Sequence, residues 1–283
     1  MLKYRLIFGT VMTVFFVGLI LFDGWLDGSL LEAVPDKPVQ APFFTLLIAL
    51  LTIPAQFEFG NLIKNTGAHL FKSVTIPATI LLASGCLCFQ FIYSFYVLAF
   101  SFLALFIVQA LKFGTEGTIR NVGASLFSIA YLGLLCWFIL RVRILWGPVV
   151  LLFFIFTVKA SDIGAYTIGR LFGKHKLCPR ISPGKTWEGL GGAVLFGTIV
   201  SIGISACCGI MSVMSAAIFG AVFGILGQMG DLAESMLKRD AAVKDSSASV
   251  PGFGGLLDVI DSPLATAPAA LLTFSLLLAS TGS

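Results

Sequence analysis

Between Asp231 and Asp261 the chain carries six carboxylates, Asp231, Glu234, Asp240, Asp245, Asp258 and Asp261, and three cations, Lys238, Arg239 and Lys244. Charge is costly beside a bilayer, and the surrounding sequence is very apolar, so this concentration reads as functional. Acids of this kind hold Mg²⁺, and cations next to them hold phosphate. Together they suit phosphoryl or nucleotidyl chemistry at a membrane. If the apolar run before Asp231 continues as helix, then Asp231, Glu234 or Ser235, and Lys238 share one face. Asp258 and Asp261, three apart, converge on one ion if they too are helical. Gly252, Gly254 and Gly255 allow the backbone to approach a ligand closely. A solvated connector with local salt bridges is the bland alternative. It does not explain why Asp231, Asp258 and Asp261 abut the expected membrane edge.

A second polar stretch lies upstream. Lys159, Arg170, Lys174, Lys176, Arg180 and Lys185 are its cations, with Asp162, Tyr166, His175, Ser182, Thr186, Trp187 and Glu188 among them. One reading is a basic loop that meets anionic headgroups. The sharper one is a triphosphate cradle, in which Ser182, Lys185 and Thr186 donate to phosphate oxygens and Trp187 stacks on a base or anchors at the interface. Gly184-Lys185-Thr186 does not make a P-loop. Pro179 stands where the first glycine belongs, and no strand is expected ahead of it. Glu188 fits a helix N-terminus, where its charge is favoured. Glu58, at the end of an apolar run, is expected on the same side as a supporting acid, and Gln56, Gln109 and Gln228 as hydrogen-bonding groups between helices.

The elements that must position these residues are membrane helices. The 283 residues are 58% hydrophobic and 11% charged, with a mean hydropathy of +1.00, which excludes an ordinary soluble domain. Apolar runs near 4–22, 41–57, 74–92, 94–112, 122–140, 146–163, 189–208, 211–230 and 263–280 are each about the length of a bilayer crossing. They are too long and too uniformly apolar for barrel strands. The first run follows Lys3 and Arg5 but lacks a small-x-small cleavage site, so it reads as a retained span. The six cysteines sit mostly in apolar runs without zinc-site spacing. With nine spans, 15 of the 18 lysines and arginines fall on the side of the N-terminus. That side is therefore cytoplasmic, together with the 164–188 and 231–262 loops. The expected fold is an all-α polytopic membrane protein of about nine transmembrane helices with two cytoplasmic active-site loops. It is a single domain, 1–283, with N-terminal spans over 1–145 and catalytic spans and loops over 146–283. A compact chain without a targeting tail suggests a bacterial inner membrane.

Two blocks carry a family resemblance. Ser235-x-x-Lys238-Arg239-x-x-x-x-Lys244-Asp245, followed by Pro251-Gly252-x-Gly254-Gly255-x-x-Asp258-x-x-Asp261, closely resembles the signature of phosphatidate cytidylyltransferases. Asp162-x-Gly164-Ala-Tyr166 and Ile181-Ser182-Pro183-x-Lys185-Thr186-Trp187-Glu188-Gly189 resemble the family's other block. Phe253 replaces the family's usual His and Val259 its usual Arg, so no His base or Arg clamp is expected there. The resemblance implies transfer of CMP from CTP to phosphatidate, giving CDP-diacylglycerol and pyrophosphate. It implies one or two Mg²⁺ ions on Asp231, Asp258 and Asp261, with room for a monovalent cation. Lys238, Arg239 and Lys244 would bind phosphate, and Ser182, Lys185 and Thr186 would position CTP. Asp162, Tyr166, Glu188, Glu234, Ser235, Asp245, Gly254 and Gly255 would complete the site. Partners would be CTP, phosphatidate, membrane lipid and, from the family, a second copy of the chain, but no nucleic acid. A CTP-dependent lipid-alcohol kinase would share these features but release CDP. A transporter would instead scatter its acids near mid-membrane.

Overall fold

A computed structural model describes residues 2–30, 40–88, 92–247, 249–250 and 254–277. Helices dominate: α1 (Leu2–Leu26), α2 (Pro42–Asn65), α3 (Lys72–Cys88), α4 (Ile92–Phe113), α5 (Thr118–Ser128), α6 (Leu135–Phe172), α7 (Trp187–Cys208), α8 (Val213–Asp240) and α9 (Leu256–Leu277). A π-helical turn, Ile129–Leu134, joins α5 to α6. With no water in a bilayer core, helices satisfy their backbone groups internally, so long apolar runs adopt them.

Among the described residues, seven helices are long and apolar enough to cross a membrane, not the nine expected. Two features account for the difference. The 17-residue α3 is short for a crossing. The run Thr118–Phe172 is continuous over 55 residues, about 80 Å at the helical rise, against a hydrocarbon core of about 30 Å. It is broken at Gly147, whose φ of 80° and ψ of −180° are not helical, just ahead of Pro148. Near this break Arg143 meets Asp23 and Asp27 at the end of α1. Near its start Asn121 accepts from the His69 N–H, and near its end Asp162 accepts from Gln228. The run therefore goes from one end of the bundle to the other and returns.

Two apolar cores form, a larger one through α2, α6, α8 and α9 and a smaller one of Phe71, Ala78, Leu82, Val97, Leu105, Val122 and Ile129. Phe44 and Phe59 of α2, Phe153 and Phe154 of α6, Phe219 and Phe223 of α8 and Phe274 of α9 belong to one buried cluster. Phe219 stacks on Phe223 at 4.0 Å and on Phe274 at 5.2 Å. Helices α6, α7 and α8 approach until their backbones touch. A Cβ on Gly192 would lie 2.5 Å from the Gly164 carbonyl oxygen, and one on Gly220 2.5 Å from that of Gly197. Such small-residue seams supply packing where lipid offers no hydrophobic drive between helices.

At the end of the bundle away from the charged segments, a buried ion cluster ties α1 to α6. The Arg143 guanidinium donates to Asp23 Oδ2 at 3.0 Å and Asp27 Oδ2 at 2.9 Å. It also reaches the Ser29 hydroxyl at 3.0 Å. Asp23 accepts from the Phe43 and Phe44 N–H groups, and Asp27 from those of Ala41 and Ser29. Burial pushes the Asp27 carboxyl up, but the hydrogen bonds from Ser29 and Ala41 and the Arg143 charge outweigh it and hold it below the ordinary carboxylate range. Replacing Arg143 leaves two buried carboxylates without their cation, a change that costs about 3–5 kcal/mol. Arg143→Met is expected to lower the melting temperature in detergent by several degrees or more. Thermal unfolding followed by intrinsic fluorescence checks this, and an unchanged transition would refute the clip.

Candidate active site

The charged residues gather at the opposite end, where four segments converge. The first is a hairpin, where the sequence predicts a loop. Strand β1 (Lys176–Cys178) pairs antiparallel with β2 (Ser182–Thr186), with Lys176 opposite Thr186 and Cys178 opposite Ser182. Strand β2 runs directly into α7. The Thr186 hydroxyl caps that helix by accepting from the Gly189 N–H at 3.0 Å, which satisfies a donor the helix would otherwise leave open. Glu188 in the first turn accepts from the His175 N–H and pairs with its ring Nδ1 at 2.6 Å, so the hairpin is latched to the helix start.

The second segment is the end of α8. The helix continues without a break to Asp240, so what was expected as a loop from residue 231 is helical over its first third. Asp231, Glu234, Ser235 and Lys238 accordingly share a face, with Ser235 donating to Asp231 at 3.4 Å and Lys238 to Glu234 at 2.7 Å. The third is the start of α9, which begins at Leu256, seven residues before the expected Pro263; Pro263 lies inside the helix instead. Asp258 and Asp261 thus fall in its first turns. The fourth is α6, which brings Asp162 to Gln228 at 3.2 Å and Ser262 at 3.4 Å.

These contacts join the two sequence blocks. The Lys185 ammonium lies 2.9 Å from Asp231 and donates to the Gln228 carbonyl at 2.8 Å. The Arg239 Nε donates to the Ile181 carbonyl at 3.2 Å. Asp231, Glu234 and Asp261 can each place one oxygen within 4.8 Å of the others, close enough to share one cation. The second oxygen of Glu234 is buried and has no hydrogen-bond partner among the described residues. An acid this enclosed with an open lone pair fits a cation-holding role. Asp258 was expected as a ligand, but in this geometry it faces Lys238. It accepts from Lys238 at 2.5 Å, the Ser246 N–H at 3.0 Å, the Ser246 hydroxyl at 2.8 Å and the Gly255 N–H at 2.8 Å. Lys238 therefore bridges Glu234 and Asp258.

Other expected site residues lie farther out. Tyr166 is exposed and accepts from Arg170 at 2.8 Å. Lys244 and Asp245 are exposed in the turn after α8, and Ser182 is half-buried on β2. Gly254 has a φ of 97°, which favours glycine, and a Cβ there would lie 2.7 Å from Asp258. Gly252 and Phe253 lie outside the described residues.

Glu58 has a larger part than a nearby supporting acid. It reaches from α2 to accept from the hydroxyls of Ser246, Ser247 and Ser249 and from the N–H groups of Leu256 and Leu257. It caps α9 and gathers the connection that leads into it. A carboxylate near a helix N-terminus is favoured by the dipole as well as by these bonds. A lone acid in an apolar helix was the visible signal; its partners, 188 to 199 residues away, were not.

The arrangement defines a membrane-embedded protein with an acid-and-cation site at one end of its helices, suited to polyanionic substrates. A model of the cytidylyltransferase family matches residues 3–277, and the chain belongs to that family. It is 42% identical over 120 residues to a phosphatidate cytidylyltransferase of Mycobacterium leprae, covering 42% of this chain and 38% of the relative. It is 40% identical over 127 residues to one of Haemophilus influenzae, covering 43% of this chain and 44% of the relative. An uncharacterized Escherichia coli protein, YnbB, is 36% identical over 199 residues, covering 68% of this chain and 66% of the relative. The matched stretches thus span between 38 and 66% of these relatives' lengths.

Glu58→Gln sets an amide N–H against donors that now share a carboxylate. It is expected to cost about 2–4 kcal/mol, the scale for buried donors left without an acceptor beside a charged group. Hydrogen exchange should rise across 246–257 while the far end of the bundle keeps its protection. Unchanged exchange there would show that Glu58 does not hold the start of α9.

Proposed function

We propose that this protein transfers the CMP moiety of CTP to phosphatidate, giving CDP-diacylglycerol and pyrophosphate, at the cytoplasmic face of a bacterial inner membrane. The observation that carries the reading is the contact between Lys185 on the hairpin and Asp231 on α8. It brings a cationic segment and an acidic one to a single place at the end of the helices. The relatives named phosphatidate cytidylyltransferase support the same substrates.

In the proposed reaction a phosphate oxygen of phosphatidate attacks the α-phosphorus of CTP in line. A new P–O bond forms as the bond from the α-phosphorus to the bridging oxygen breaks, and pyrophosphate leaves with that electron pair. The nucleophile is already an anion, so no strong base is required. The demand is neutralisation of two polyanions held side by side.

Asp231, Glu234 and Asp261 would hold Mg²⁺, which when bound would supply positive charge to the phosphate oxygens. Asp258, with Glu234, would keep Lys238 oriented so that its ammonium offers a fixed charge to a phosphate. Lys185 would exchange part of its contact with Asp231 for a triphosphate oxygen when CTP enters. Arg239 would keep the hairpin against α8, and Lys244 would attract anions to the rim. Thr186 would act through the start of α7, which it caps, with Ser182 at the other end of the strand. The acyl chains of phosphatidate would lie along the apolar outer faces of the helices, so the lipid need not leave the bilayer.

Purified protein supplied with CTP, Mg²⁺ and phosphatidate is expected to form CDP-diacylglycerol and pyrophosphate in equal amounts, and none without Mg²⁺. Release of CDP with a newly phosphorylated lipid would instead assign a kinase. Asp261→Asn, close in shape, is expected to lower kcat/KM by at least a hundredfold without a matching fall in melting temperature. Turnover near that of the parent would remove Asp261 from the metal set.

A further inference from the structure

Tyr131 lies on the π-helical turn Ile129–Leu134. Single π-helical turns inside helices recur at functional sites, because the extra residue re-aims a side chain. The rotation of this turn is fixed by its packing. A Cβ on Gly133 would lie 2.9 Å from Leu82 and 3.2 Å from the Thr79 backbone, so the turn sits directly against α3. The Tyr131 ring is fixed as well. It stacks on Phe127 with centroids 5.8 Å apart and planes 19° apart, and it packs beside Phe59 at 6.0 Å.

The hydroxyl at the end of this ring is buried and has no hydrogen-bond partner among the described residues. The acids whose charge bears on it are Glu234, Asp261, Asp231 and Asp258, those of the site, from α8 and α9. A buried phenol usually finds a partner. Phenylalanine would preserve every ring contact here and carry no polar group to satisfy. The free Glu234 oxygen is likewise buried and without a partner among the described residues. A donor and an acceptor, both enclosed and both unpaired among the described residues, leave one hydrogen bond each for an occupant to supply. The acceptor suits a cation. The donor suits an anionic oxygen carried by the same occupant.

We propose that Tyr131 is a substrate-binding residue whose hydroxyl donates to a phosphate oxygen bound over Asp231, Glu234 and Asp261. This rests on the phosphate chemistry of the proposed function. The oxygen belongs either to the nucleotide or to the lipid phosphate, and the test separates the two.

Tyr131→Phe removes the hydroxyl and keeps the stacked ring. Titration calorimetry on purified full-length protein, with Mg²⁺ present, measures binding of CTP alone and of short-chain phosphatidate alone. The expected result is about tenfold or greater weakening for one ligand, the scale of a hydrogen bond to a charged group. The other ligand and the melting temperature should stay unchanged. The ligand that weakens identifies the source of the oxygen. Binding of both ligands within twofold of the parent overturns the proposal, and so does weakening of both together with a lowered melting temperature. Turnover is read on the parent protein alone. A parent that binds both ligands yet forms no CDP-diacylglycerol overturns the reaction and leaves the Tyr131 contact to be judged by the titrations.

Discussion

Charge balance at the end of α8 is the constraint on which the rest of the structure depends. Five carboxylates, Asp162, Asp231, Glu234, Asp258 and Asp261, lie within one network of contacts. Three ammonium groups reach them: Lys159 to Asp162, Lys185 to Asp231, and Lys238 to both Glu234 and Asp258. Removing an ion from water is costly, and an excess of one sign inside a helix bundle is more so. Each lysine is therefore committed to an acid, and among the described residues Asp261 accepts only from the Ser262 N–H and hydroxyl. With all five acids ionised, two negative charges are left over, the balance that the divalent cation of the proposed function would supply. The hairpin, the extension of α8 and the early start of α9 are the means by which the chain brings these groups within reach of one another.

The cluster at the far end shows what a purely structural charge group looks like in the same protein. There, all four carboxylate oxygens of Asp23 and Asp27 accept hydrogen bonds from Arg143, from Ser29 or from the backbone. In this cluster, among the described residues, the Arg143 Nε alone lacks a partner. The acids are satisfied by fixed protein donors, and nothing remains for a ligand to supply. At the site end, by contrast, an acid oxygen and a phenol hydroxyl are both enclosed and without partners among the described residues. Both clusters are ionic and both are buried. The difference lies in whether the polar groups are satisfied by the protein itself.

Much of this was legible in the sequence because membrane helices announce themselves by length and hydropathy, and because charge is conspicuous against them. The spacing of Asp231, Glu234 and Lys238 correctly indicated a shared helical face, since a helix continuing past the membrane edge keeps its period. The hairpin was not legible. Three- and five-residue strands that contain a proline and a glycine carry no alternating pattern, and β1 and β2 are stabilised by their docking on α7. The start of α9 was misplaced because Pro263 resembles a first-turn proline, whereas the helix is initiated earlier by Glu58, a residue nearly 200 positions away. The pairing of Asp258 with Lys238 was equally hidden. Spacing makes Asp258 and Asp261 neighbours, but the direction of each side chain is decided by what Ser246, Gly255 and Lys238 offer.

These long-range partners change the reading of the N-terminal helices. Glu58 on α2 sets where α9 begins, and hence where Asp258 and Asp261 sit. Tyr131, on the turn between α5 and α6, is proposed to add its hydroxyl to the wall of the same site. A scaffold that served only to anchor the catalytic helices could have closed that wall with apolar side chains at lower cost. Instead α2 places a carboxylate, and the π-helical turn a hydroxyl, at the one end of the bundle where polar groups have partners to gain. Polar residues persist inside lipid-facing bundles where function holds them. By that criterion the N-terminal helices belong to the site as much as to its support.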